Sequence, residues 1–60
     1  MNAISSVRSY ASEAGAVHDA RRGGFRVSTD RHGVVYAVRG GFVVRLVVRN
    51  YGTSFEWVQS

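Results

Sequence analysis

Two short clusters place a histidine beside an acid: His18-Asp19, and Asp30-Arg31-His32. A nuclease or phosphoryl-transfer site needs a general base near a cation, and the second cluster holds both types. Ser28 adds a hydroxyl two residues upstream. Yet Ser28, Asp30 and His32 lie in and beside one tight turn, where an acid ordinarily satisfies neighbouring backbone N–H groups. They do not form the converging set that nucleophile, base and oxyanion donor require. His18 falls near the end of an expected helix, a position suited to a capping or partly buried imidazole. Two His without any Cys make a poor zinc set. Neither Gly pair opens the lysine-containing loop or the spaced-glycine turn that cradles phosphate. The expectation is a chain that is not an enzyme and carries no catalytic residue, cofactor or metal.

The remaining chemistry is that of arginine. All eight fixed cations are Arg, none is Lys, and the formal charge is +4. Each guanidinium is a planar fork suited to carboxylates, phosphates and aromatic faces, which favours an acidic partner. A GC-rich gene, which uses Arg, Ala, Val and Gly codons heavily, would produce the same bias. The four acids, Glu13, Asp19, Asp30 and Glu56, are scattered, so the surface is not a mimic of DNA. The tetrapeptide Arg-Gly-Gly-Phe occurs twice, at 22–25 and 39–42. Arg-Gly-Gly elements also occur in RNA-binding tails, where they grip phosphates and bases. Those tails are long and disordered. Here each Gly pair stands between ordered elements and reads as a helix stop or a hairpin turn.

The elements that position these residues follow from periodicity. Ile4, Val7, Tyr10 with Ala11, Ala14, and Val17 with His18 recur at helical spacing, predicting a helix over about residues 2–21. Asn2, Ser5 or Ser6 would cap its start, Arg21 and Arg22 would suit its C-terminal dipole, and Gly23 would take the left-handed cap. The small side chains of Ala11 and Ala14 would let it lie close to a sheet. Strands are predicted at 25–29, 34–39, 42–49 and 54–58, separated by Gly33, by Gly40 with Gly41, and by Gly52.

A two-residue Gly-Gly turn sets Ala37 opposite Val44 and Val35 opposite Leu46, so these share a face with Phe42 and Val48. A three-residue turn ending in Gly33 adds Phe25 and Val27, and a two-residue Tyr51-Gly52 turn adds Phe55 and Trp57. The expected fold is α+β: a single N-terminal helix packed on that face of a four-stranded antiparallel β-meander, one domain over 1–60 with tandem hairpins at 25–38 and 42–58.

The opposite face then carries Arg26, Val34, Tyr36, Val38, Val43, Arg45, Val47, Arg49 and Glu56, which is less polar than a solvated outer face requires. Arg stems lying over Val side chains would account for it as a solvated surface. As a site, Arg26, Tyr36, Arg45 and Arg49, with the turn residues Arg31 and Arg39, form the expected partner-binding set, with Tyr36 opposite Arg45. The strands at 25–29 and 54–58 would each leave an edge open to a partner's strand.

A 60-residue chain hides only about 60% of its unfolded surface, so self-association as a homodimer or larger homo-oligomer fits its size. The absence of Cys and of any long apolar run points to a cytoplasmic protein with no membrane partner. The functional expectation is an interaction module that covers a surface of a larger protein or nucleoprotein complex with acidic character. Phage and other mobile elements encode short blockers of host machinery, anti-CRISPR proteins among them, and size alone raises that role here. The competing expectation is a basic nucleic-acid-binding protein that uses the same face.

Overall fold

A computed structural model describes residues 9–60 and shows one helix on one side of a five-stranded antiparallel sheet. The elements are β1 (Ser9–Tyr10), α1 (Glu13–Arg22), β2 (Arg26–Thr29), β3 (Val35–Arg39), β4 (Phe42–Arg49) and β5 (Ser54–Gln59), and the sheet order is β1-β5-β4-β3-β2. The α+β class and the antiparallel meander are as expected. The strand count is corrected from four to five, because Ser9 and Tyr10 pair with Glu56 and Phe55 on the outer side of β5.

The same two residues correct the start of the helix. With Tyr10 in the sheet, the helical spacing that linked it to Ala14 and Val17 is broken, and the helix starts at Glu13 instead of near residue 2. Ser12 is the cap: it is extended (φ −147, ψ 156), and its Oγ accepts from the Gly15 N–H at 3.0 Å. The expected caps Asn2, Ser5 and Ser6 lie outside the described residues, as do Ile4 and Val7. Ala16 and Ala20, one turn apart, are the buried helical residues, whereas Ala11, Ala14 and His18 face outward. Close approach of helix to sheet therefore does depend on small side chains, but on a different pair.

The other end of the helix is also shifted by one residue. Gly23 has φ −82, and Gly24 takes the left-handed conformation at φ 88. The Phe25 N–H reaches the Ala20 carbonyl and the Gly24 N–H reaches that of Arg21, both at 3.0 Å. This is the paired closure that satisfies the last carbonyls of a helix, with Phe25 and Ala20 buried beside it as its hydrophobic contact.

Turn chemistry sets the register. Gly33 (φ 84) ends a three-residue turn closed by Asp30 N–H to Val34 C=O at 3.0 Å, and Gly40 (φ 60) opens a two-residue turn between Arg39 and Phe42. The pairs Ala37↔Val44, Val27↔Ala37 and Leu46↔Trp57 then place the apolar residues on the helix side. The last turn differs in length from the expected one. It spans four residues, Asn50 to Thr53, between the paired Arg49 and Ser54, because Asn50 (φ 54) and Tyr51 (φ 57) already leave the extended conformation. Its centre is still Tyr51-Gly52, so the pairing register is unchanged.

Phe25, Val35, Ala37, Val44 and Trp57 form the core with Ala16 and Ala20; Tyr10, Val17, Val27, Leu46 and Phe55 pack around it. Phe42 and Val48 point to the same side but remain 37% and 53% exposed. A ten-residue helix is about 15 Å long, against about 26 Å for the eight-residue β4, so the helix cannot cover both strand ends.

Candidate partner-binding face

The side of the sheet away from α1 has no second layer among the described residues. Strand alternation puts Arg26, Ser28, Tyr36, Val38, Val43, Arg45, Val47, Arg49, Glu56 and Val58 there. The valines and Tyr36 are half-buried by their neighbours, and Arg26, Arg45 and Arg49 are exposed. Tyr36 stands opposite Arg45. Because the two-residue turn makes Arg39 and Phe42 a hydrogen-bonded pair, alternation makes Tyr36 and Arg45 a non-hydrogen-bonded one, the type in which side chains approach most closely. Arg49 Nε lies 3.0 Å from Glu56 Oε2, so one of the three cations is partly neutralised. Arg26 and Arg45 have no carboxylate partner among the described residues.

The structure thus gathers Arg26, Tyr36, Arg45 and Arg49 on one surface and separates the other two expected contact residues from them. Arg31 is exposed in the turn between β2 and β3. Arg39 shares the parity of Ala37 and so belongs to the helix side. Its guanidinium carbon is 4.7 Å from the centroid of the Phe25 ring, and its Nη1 donates to the Gly23 carbonyl. Phe25 in turn meets Phe42 edge-on, with centroids 6.2 Å apart. The two Arg-Gly-Gly-Phe segments therefore pack on each other as one corner of the fold, and Arg39 is a structural clamp within it.

The acid–base candidates do not converge. Asp30 Oδ1 accepts from the N–H groups of His32 (2.8 Å) and Val34 (2.9 Å), which is a turn acid's ordinary work. Asp19 accepts from the Tyr10 hydroxyl. His18 and His32 are exposed on different elements. Among the described residues no three His, Cys, Asp or Glu side chains are grouped so as to hold a metal ion, and no helix is long and apolar enough to cross a membrane.

Sequence reasoning did not single out Tyr51 as an exposed aromatic. It is fully exposed at the tip of the β4–β5 hairpin, next along the chain from Arg49 and Asn50. A bulky residue with positive φ is uncommon, and reading Tyr51-Gly52 as a turn held the signal without its consequence for exposure.

No protein-family model, curated protein or solved structure matches the chain.

Proposed function

We propose that the chain is a non-enzymatic interaction module that lays the outer face of its sheet on an acidic surface of a larger protein and acts by occupying that surface. The observation that carries this reading is the mixture on that face: half-buried Val38, Val43, Val47 and Val58 interleaved with exposed Arg26 and Arg45. Apolar area at the centre with Arg and Tyr contacts is the composition of protein interfaces and their hot spots. Occlusion of this kind is the mode of a small inhibitor, such as a phage or mobile-element blocker of host machinery.

Nucleic acid is the second reading, supported by the guanidinium groups. It is the weaker one, because single-strand platforms stack successive bases on several rings and Tyr36 is the one aromatic that strand alternation puts on this face among the described residues. Self-docking of two outer faces would set Arg26 and Arg45 of each copy against a surface whose acid, Glu56, is already paired.

The test is capture of partners from host lysate on the tagged chain, with and without nuclease, beside the variant Arg45→Glu. A stoichiometric protein that survives nuclease and is lost with the variant supports the module. Loss of all partners on nuclease treatment, or full retention by the charge-reversed variant, removes it.

A further inference from the structure

Among the described residues, β3 and β4 are paired on both sides, β5 is paired on its outer side only at Phe55 and Glu56, β1 offers two residues, and β2 is a four-residue strand with no outer neighbour. The opposite edge, expected at β5, is taken in part by β1. Asp30 N–H to Val34 C=O fixes the phase of the β2–β3 ladder, so Arg26 and Ser28 bond to β3. The N–H and C=O groups of the alternate residues, Val27 and Thr29, therefore point out of the sheet edge.

A shallow groove of about 590 Å³ runs along this edge, lined by Arg21, Phe25, Arg26, Val27, Ser28 and Val38. Its lining comes from both sides of the sheet: Phe25 and Val27 lie on the helix side with Arg21 from the last turn of α1, and Arg26, Ser28 and Val38 lie on the outer side. Both charged residues of the groove are exposed arginines, and no acid lines it.

We propose that the β2 edge is a docking site that takes an extended acidic segment of a partner protein as a sixth strand. The free main-chain groups of Val27 and Thr29 supply the ladder. An added strand alternates its side chains above and below the sheet, so acidic residues on its two sides meet Arg21 on one and Arg26 on the other. The β2–β3 register is continuous from Arg26 to Thr29 and the chain has no Pro, so neither a bulge nor a missing N–H protects the edge. A second copy is the poorer occupant, since the one acid its β2 segment could set against Arg26 is Asp30, whose Oδ1 already accepts from the His32 and Val34 N–H groups. Although Arg26 and Val38 border both surfaces, this site is independent of the outer-face reading, and Arg21, Thr29 and Arg45 separate the two.

The experiment is fluorescence anisotropy of the full chain with a fluorescein-labelled peptide that alternates Glu with Val and Thr. Its two controls are a twin with Gln for Glu and a twin N-methylated at alternate residues. The acidic peptide should bind, the N-methylated twin should not, and Arg21→Gln should weaken binding about tenfold, the scale of one lost charged contact. Thr29→Pro should abolish it, and Arg45→Glu should leave it unchanged. Equal binding of the N-methylated twin, or loss of binding with Arg45→Glu and not with Arg21→Gln, would overturn the edge site and leave the outer face untouched. So would displacement of the peptide by an oligonucleotide of equal charge, or a dimer in sedimentation that Thr29→Pro dissolves.

Discussion

Trp57 Nε1 donates to the carbonyl oxygen of Ala16 across 3.3 Å, joining the middle of β5 to the first turn of α1. Both residues are 0% exposed. The contact requires the helix backbone to come within reach of an indole standing on the sheet, and the methyl side chains of Ala16 and Ala20 permit that approach. The indole N–H would otherwise be a buried donor without a partner, so one bond both fixes helix placement and removes a desolvation cost.

Substitutions at this contact should act through different terms. Trp57→Phe keeps most of the apolar volume and loses the bond, costing about 1–2 kcal/mol. Ala20→Leu forces the helix away from the sheet and costs about 1–3 kcal/mol. Urea unfolding checks both, with the midpoint falling while the slope is retained.

Gly24→Ala should cost about 1–2 kcal/mol, because φ 88 brings Cβ against the following carbonyl. Space is not the obstacle: the nearest atom to an added Cβ is Arg39 Cδ at 3.6 Å, an ordinary contact. Gly23→Ala, at φ −82, should cost less. Thermal melts of the two variants compare them directly, and equal losses would contradict the closure described for the helix end.

Arg39 and Arg45 should separate stability from binding. Arg39→Ala removes the cation over Phe25 and the bond to Gly23, at a cost of about 1 kcal/mol in stability. Arg45→Ala should change stability by less than about 0.5 kcal/mol, as surface changes usually do, yet lower affinity for the protein partner by more than about 1 kcal/mol. Paired unfolding and calorimetric titration read both quantities.

Salt should weaken that complex only moderately. A complex held by phosphate contacts would instead lose affinity log-linearly and steeply with ionic strength through counterion release. Affinity measured across a salt series distinguishes the two.

Tyr51→Asn should raise the melting temperature, because Asn tolerates the left-handed conformation better than a bulky ring and the exposed Tyr51 side chain buries nothing in the free chain. The same variant should bind the partner less well if the hairpin tip takes part in docking. A melting curve and a binding isotherm on one preparation test both halves.

Much of the sheet was legible because its signals are local. Gly33 and the Gly40-Gly41 pair specify turns whose lengths set the register, and alternation then assigns Phe25, Val27, Val35, Ala37, Val44, Leu46, Phe55 and Trp57 to one side. The same parity gathers Arg26, Tyr36, Arg45 and Arg49 on the other. Arg39 adjoins a turn, and its parity with Ala37 puts it on the helix side against Phe25.

What the sequence by itself determined was which side chains share a face, since a two-residue period and turn geometry depend only on near neighbours. Tertiary structure decided where the helix begins and which small residues it buries. Tyr10 fits a helical stripe as well as a strand, and only pairing with Phe55, far along the chain, draws it into the sheet. That pairing leaves Ser12 to cap, turns Ala16 and Ala20 toward Trp57, covers part of β5 and, among the described residues, leaves β2 as the open edge. No local window contains those contacts, because they exist only once β1 and β5 lie side by side.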